Sequence, residues 1–225
     1  MELVEFKSIN WNKHIVLLKQ AQELGFVGAS DVNRHLESSF LFYQCIKRFG
    51  GEGGINTLMD IGSGGGIPGL VIAKLLKHTK ILLIESSKKR SSYLNSSISY
   101  LGLSSSVSVF AGSVQTYKSK FAETRFNVGT ARLFGSLPAS LECLAPLIAD
   151  KGTVIISAHG SDEIIKNRSF DYALSELGVD FVEKTKFQNH WFWIFKKVHE
   201  ADKKYPRTKR EIKTDPLFEI VRNIE

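Results

Sequence analysis

The stretch 60–69 combines an aspartate with closely spaced glycines, a pattern that can receive a ligand directly on the backbone. Its chemically informative members are Asp60, Gly62, Gly64, Gly66 and Ile67. A glycine has no Cβ, so a ligand can approach its backbone, and the start of the helix that follows offers unpaired N–H groups. We therefore predict a small-molecule site at this turn between a strand and a helix.

The spacing of the glycines separates two classes of cofactor. A dinucleotide fingerprint needs G-x-G-x-x-G/A, with a pyrophosphate at the start of the helix. Here the bulky Ile67 stands where the third glycine of that fingerprint should be. Asp60 would also repel a pyrophosphate, whereas a carboxylate suits a cofactor with a cationic amino-acid end. The pattern favours S-adenosylmethionine, which carries an ammonium and a sulfonium group.

A second carboxylate, Glu85, closes the next predicted strand. A carboxylate at this position can accept hydrogen bonds from both ribose hydroxyls of a nucleoside. Both cofactor classes use such a residue, so Glu85 indicates a nucleoside without deciding which one. A nicotinamide-dependent reductase stays open as an alternative, although no catalytic Tyr–Lys pair is apparent in the sequence.

The elements that position these residues begin after a helical segment that ends near Gly50. Apolar runs predict strands at 57–61, 80–85, 107–111, 126–131, 153–158, 180–187 and 190–198. Periodic segments predict helices at 68–77, 87–101, 137–149 and 162–177. Only Gln188 and Asn189 separate the last two strands, which predicts a hairpin and one antiparallel strand.

This alternation predicts an α/β fold of the Rossmann-like, class I methyltransferase type. Its sheet should be mostly parallel, with an antiparallel strand near the C-terminal end and helices on both faces. We expect an N-terminal helical segment at 1–50, a cofactor-binding core at 51–200 and a basic tail at 201–225.

Composition narrows the possible partners. The chain has 225 residues, is 43% apolar and carries a formal net charge of +7, which favours an anionic partner. Its two cysteines, Cys45 and Cys143, indicate neither a disulfide framework nor a metal site. No apolar run is long enough to span a bilayer, and the N-terminus lacks the pattern of a signal peptide. We expect a cytoplasmic monomer that binds neither a metal nor a membrane.

Several motifs together resemble the RsmG (also called GidB) family of methyltransferases. They cover most of the chain from residue 34 onward. The motifs are the glycine stretch 60–69 with its Pro-Gly ending, the acidic-then-basic stretch 85–90, the stretch 130–137, the Arg34-His35 pair, and the tail 203–207 with 215–217. The resemblance implies methylation of a guanine N7 in 16S ribosomal RNA of the small subunit, with S-adenosylmethionine as cofactor.

The resemblance also implies roles for individual residues. Gly62 and Ile67 would contact the cofactor, and Arg132 would lie beside its methionine end or beside the incoming base. The adenine would be held by Val114 and Gln115. Direct contact with RNA would come from Arg34, His35, Lys203, Lys204 and Arg207.

The sequence departs from the family pattern at two places. An acidic residue is usual where Gln115 stands, although a glutamine carbonyl can still accept a hydrogen bond from the adenine amine. Trp11-Asn12-Lys13 is followed by His14-Ile15-Val16 where the family has Asn-Leu-Thr. Two alternatives therefore stay open: a methyltransferase of a small molecule or a protein, and an RNA-binding module with a degenerate cofactor pocket.

Overall fold

A mixed sheet forms the centre of the molecule. The computed structural model describes residues 6–51, 54–164 and 167–222. Its seven-stranded sheet has the order β3-β2-β1-β4-β5-β8-β7, and β8 runs antiparallel to both of its neighbours. The strands are β1 (Thr57–Ile61), β2 (Lys80–Glu85), β3 (Val107–Ala111), β4 (Phe126–Ala131), β5 (Ile148–Ala158), β7 (Val179–Phe187) and β8 (His190–Lys197).

Helices cover both faces of this sheet. They are α1 (Asn12–Glu23), α2 (Val32–Phe49), α3 (Gly69–Leu75), α4 (Lys88–Leu101), α5 (Val114–Lys120), α6 (Leu137–Leu144), α7 (Arg168–Leu177) and α8 (Lys209–Thr214). Helices α2, α3 and α4 pack on one face, and α5, α6 and α7 pack on the other. Every helix in the described residues is too short or too polar to cross a bilayer.

Alternation along the strands produces these two cores. In β1, Leu58 packs with the helices of one face and Met59 with those of the other, and both side chains are fully buried. Successive side chains of a strand point to opposite faces, so a strand that is covered on both faces must be apolar throughout. Asp60 is the exception among the buried residues of β1, and it is fully buried.

The predicted fold class is confirmed, and four strands begin and end where the sequence predicts: β1, β2, β3 and β4. Helix α4 begins after its N-cap Ser87 and stops at Gly102, which adopts a left-handed φ of 71°. Asp31 caps α2 by accepting a hydrogen bond from the Asn33 amide. Residues 1–5 of the predicted N-terminal helical segment lie outside the described residues.

Two predicted helices are wrong in part. The prediction of a helix over 137–149 fails because α6 ends at Leu144 and a short 3₁₀ turn, Ala145–Leu147, leads directly into β5. Pro146 lacks the N–H that an α-helix needs at this point. The prediction of a helix over 162–177 fails at its start, since Asp162–Ile164 forms β6 and α7 begins only at Arg168.

The C-terminal tail is folded onto the core. Beyond β8 it forms α8 and then β9 (Ile220–Arg222), which pairs antiparallel with β6 in a small second sheet. Tyr205 and Phe218 of the tail are buried in the core beneath α6 and α7. The sequence predicted that this segment is basic, but it predicted neither α8 nor β9.

Candidate functional site

A cavity of about 380 Å³ opens at the carboxyl ends of the central strands. In open α/β sheets this edge is where ligands bind. Its walls come from six parts of the chain: the first glycine of the turn, the end of β2, the start of α4, the loop after β3 with the start of α5, the loop after β4 with α6, and the tail helix α8. The lining residues are Gly62, Ile84, Glu85, Ser86, Arg90, Gly112, Ser113, Val114, Gln115, Leu133, Phe134, Ala139, Cys143, Lys209 and Ile212.

The glycine turn needs glycine at each predicted position. Gly62, Gly64 and Gly66 adopt φ angles of 66°, 55° and 92°, which lie in the region that side chains disfavour. A Cβ on Gly62 would lie 2.5 Å from Cδ2 of Phe134, at the wall of the cavity. Ile67 instead turns away and is buried in an apolar cluster with the N-terminal helices. Only Gly62 of this turn faces the cavity.

The Glu85 carboxylate holds the turn and the next loop together. Its Oε2 accepts a hydrogen bond from the Gly64 amide at 3.0 Å, and its Oε1 accepts one from the Ser87 amide at 2.8 Å. The Arg90 guanidinium lies 3.8 Å from Oε2. A carboxylate has about four lone-pair sites, so both oxygens keep the capacity to accept from a ligand in the cavity.

Asp60 lies behind the glycine turn and does not line the cavity. Its Oδ1 accepts a hydrogen bond from the Thr130 hydroxyl at 2.8 Å, while Oδ2 has no partner among the described residues. Burial raises the pKa of Asp60 to about 6, against the lowering effects of the Thr130 hydrogen bond and the Arg132 charge. A buried carboxylate of this kind favours a positive charge nearby.

Arg132 supplies positive charge on the side of the sheet covered by α2. Its guanidinium NH2 lies 3.4 Å from Nδ1 of His35, whose Nε2 lies 2.9 Å from both the Ser30 hydroxyl and the Gly28 carbonyl. A guanidinium can only donate, so His35 accepts at Nδ1 and carries its proton on Nε2. Burial lowers the pKa of Arg132.

His35 is therefore placed differently from its neighbour Arg34. The His35 side chain is buried against the N-terminal turn, whereas Arg34 is exposed on α2. His190, at the start of β8, belongs to the same region: burial, and then the Arg132 charge, lower its pKa, while Glu37 raises it. The sequence did not predict a role for His190.

The tail closes one side of the cavity. Lys209 and Ile212 of α8 line it together with Val114 and Gln115. The Gln115 amide Nε2 donates to the Arg207 carbonyl at 3.2 Å. Tail residues are therefore part of the wall that the resemblance assigns to the adenine.

The four cationic residues predicted to contact RNA, three in the tail and one on α2, differ in whether an acidic side chain pairs with them. The Arg207 side chain is 15% exposed and forms ion pairs with Glu142 and Asp215. Lys204 pairs with Glu176. Lys203 and Arg34 are exposed, and neither forms an ion pair within the part of the chain that the structure describes.

The structure thus brings together four of the predicted cofactor residues, Gly62, Glu85, Val114 and Gln115, in one cavity. Asp60, Gly64, Gly66 and Ile67 build the turn behind its wall, and Arg132 lies with His35 on the N-terminal side. Sequence reasoning missed the aromatic wall at Phe134 and the tail residues Lys209 and Ile212. For Phe134 the signal was its place directly after β4, at the carboxyl edge of the sheet.

The chemistry of the lining fits a nucleoside. Apolar side chains from Val114, Phe134 and Ile212 can flank a base, and Glu85 can accept from ribose hydroxyls. A glycine at position 62 leaves backbone exposed where a Cβ would collide. The described residues contain no group of three or more His, Cys, Asp or Glu side chains placed to hold a metal ion.

Comparisons with known proteins identify curated relatives of this chain. A curated ribosomal RNA small subunit methyltransferase G from Clostridium botulinum (strain Loch Maree / Type A3) is 30% identical, covering 96% of this chain and 90% of its own length. The protein of the same name from Clostridium perfringens is 25% identical over 78% of this chain and 77% of its own.

Solved structures show the same fold. An O-methyltransferase from Bacillus cereus in complex with SAH has a TM-score of 0.62 at 15% identity, covering 85% of this chain and 93% of its own. A putative rRNA-methylase from Clostridium thermocellum has a TM-score of 0.51 at 16% identity, covering 72% and 96%. The model of the GidB family, described as rRNA small subunit methyltransferase G, matches residues 7–191. The chain therefore belongs to the GidB family.

Proposed function

We propose that this protein transfers a methyl group from S-adenosylmethionine to a guanine N7 of 16S ribosomal RNA in the small subunit. The observation that carries the proposal is the cavity at the carboxyl edge, where Gly62, Glu85 and Gln115 meet in a chain of the GidB family. The cofactor supplies an activated methyl group on a sulfonium. The finer assignment, to N7 and to 16S RNA, rests on the resemblance.

Several cavity residues could hold the cofactor. Glu85 would accept from the ribose hydroxyls, Val114 would pack on the base, and Gln115 would accept from the adenine amine. Phe134 closes the wall over Gly62. Asp60 acts from behind the turn: its charge and that of Arg132 balance each other at the end where the methionine portion would lie.

The proposed reaction needs little acid–base catalysis from the protein. Guanine N7 carries a lone pair and no proton, so its attack needs no general base. In the proposed transfer the N7–carbon bond would form as the carbon–sulfur bond breaks, and the positive charge would pass from sulfur to the guanine. Rate must then come from holding the nucleophile in line with the methyl group. Leu133, 86% exposed at the cavity mouth with a φ of 53°, is placed to contact the incoming base.

The RNA contacts divide between surface and supporting residues. Arg34 and Lys203 are exposed and would meet phosphates directly. His35 is buried and would act by holding Arg132. Lys204 and Arg207 are engaged with Glu176 and Glu142, so they would position the tail. We also propose that the chain is divided into an N-terminal segment at 1–50, a cofactor-binding core at 51–200 and a basic tail at 201–225, and that the enzyme is cytoplasmic.

The test is a methyl-transfer assay with purified full-length protein and labelled S-adenosylmethionine. Separate reactions contain free 16S RNA, assembled small subunits, total protein and a metabolite pool, and the RNA product is hydrolysed and analysed by mass spectrometry. We expect label in 7-methylguanosine from one of the ribosomal substrates. Glu85→Gln should reduce both cofactor binding and transfer, while the exposed Glu123→Gln serves as a matched control.

The outcomes separate the alternatives. Label in protein or metabolites, with none in RNA, would make the chain a methyltransferase of another substrate. Salt-sensitive RNA binding without any calorimetric signal for S-adenosylmethionine would make it an RNA-binding module, and the proposal would be abandoned.

A further inference from the structure

Gln115 is held in one orientation by the tail. Its Nε2 lies 3.2 Å from the Arg207 carbonyl oxygen and 3.9 Å from the Cys143 sulfur. A carbonyl oxygen can only accept, so the amide group that faces it must be the NH2. The Oε1 of Gln115 accepts from no group among the described residues, and it is the amide atom left for a ligand in the cavity.

The Arg207 carbonyl is fixed by contacts on both sides of it. The Arg207 backbone amide and Nε donate to Oε1 of Glu142 at 2.9 and 3.0 Å, and its NH2 donates to Oε2 at 2.9 Å. Glu142 is 1% exposed, so this ion pair is shielded from water on the Glu142 side. The Thr208–Glu211 capping box then starts α8 directly after Arg207.

We propose that the tail segment 205–215 sets the purine specificity of the cavity by keeping the Gln115 carbonyl turned toward the base. A free glutamine amide can rotate and present either a donor or an acceptor, which a carboxylate cannot do. Held by Arg207, Gln115 presents only an acceptor. It then matches a 6-amino purine, which donates, and mismatches a 6-oxo purine, which accepts. The inference rests on the proposed cofactor site.

The test compares S-adenosylhomocysteine with S-inosylhomocysteine by calorimetry on the full chain. We expect the wild-type protein to bind the adenosyl compound about tenfold more tightly, because the inosyl compound leaves two acceptors facing each other. Arg207→Ala keeps the carbonyl but removes the side-chain bonds to Glu142 that fix its position, so the Gln115 amide should rotate and the ratio should fall at least threefold. Arg210→Ala, an exposed arginine of the same tail helix, should leave the ratio unchanged. An unchanged ratio in folded Arg207→Ala would overturn the inference.

Gln115→Glu provides an independent variant if Arg207→Ala does not fold. It keeps an acceptor for the adenine but turns a second carboxylate oxygen toward the Arg207 carbonyl. We expect binding of S-adenosylhomocysteine to weaken about tenfold, and retained or tighter binding would contradict the role of the tail. A wild-type protein that binds neither compound would refute the proposed function itself, whereas equal binding of both would refute only the tail's role.

Discussion

The buried carboxyl of Asp60 gives the most specific prediction. It should make the stability of the folded protein fall as the pH rises, which is opposite to the usual effect of an aspartate. Burial raises its pKa from 3.8 to about 6 in the folded protein. A carboxyl whose pKa is raised by folding destabilises the folded state when it is ionised. The stability of the wild-type protein should therefore fall as the pH rises through the interval between these values, and level off above it.

Asp60→Asn removes this titration while keeping the size of the side chain and the acceptor for Thr130. A difference of about two pKa units corresponds to about 3 kcal/mol. The free energy of unfolding of the variant, relative to the wild type, should thus rise by about 2.5 kcal/mol between pH 4 and pH 8, because the remainder of the change lies below pH 4. Any constant offset from the altered hydrogen bonds would be the same at both pH values.

The assay is equilibrium unfolding in urea at several pH values, with m-values compared to verify two-state behaviour. The matched control is Asp150→Asn, an exposed carboxylate on β5. This variant also removes one carboxylate, but from an exposed position, so it controls for the loss of a charge without burial. If the Asp60→Asn difference varies no more with pH than that of the control, Asp60 titrates alike in the folded and unfolded chains, and the reasoning from burial is refuted.

Three further predictions concern the cavity and its surroundings. Gly62→Ala should destabilise the fold by about 1–3 kcal/mol and weaken cofactor binding, because the new Cβ would collide with Phe134 and position 62 has a positive φ. Thermal unfolding measures the first effect and calorimetry the second. A variant with wild-type stability and affinity would contradict this prediction. Leu133→Ala should raise the KM for RNA more than the Kd for S-adenosylhomocysteine; equal changes would argue against contact with the base. Lys203→Ala should weaken RNA binding and lower its salt slope by about one, as measured by filter binding at several salt concentrations. An unchanged slope would remove Lys203 from the RNA surface.

Local patterns were sufficient to predict most of the sheet. The first four strands are short apolar runs bounded by turn residues, and the hairpin at Gln188 and Asn189 separates two apolar runs by two residues. The glycine turn could also be predicted, because the positive φ angles of this turn favour glycine. These features depend on residues that are close in sequence, so the sequence alone can reveal them.

The errors occur where distant segments decide the structure. Nothing near Asp162–Ile164 distinguishes a short strand from the start of a helix, and its partner β9 lies in the tail. The tail wall of the cavity depends on Arg207 meeting Glu142, a pair 65 positions apart. Pro146 is different, because it is a local signal for the end of α6 and lies inside the segment predicted as helix.

The site residues show the same limit. Type and spacing predicted that Gly62 and Glu85 would belong to one site, the family resemblance added Gln115, and the structure places all three around one cavity. Type and spacing could not reveal that His35 is buried against Arg132, since exposure depends on how α2 packs. The sequence indicates which residue types could bind a ligand, whereas packing determines which of those side chains are placed to contact it.

The position of α8 in the wall of the cavity has a consequence for biosynthesis. Residues 205–215 are synthesised after all seven strands of the sheet, and a domain generally folds as one unit. The nucleoside cavity therefore lacks Lys209 and Ile212 until the ribosome has passed the sheet. Tyr205 and Phe218 of the same tail are buried in the core, so core packing and closure of the cavity wall should be completed together.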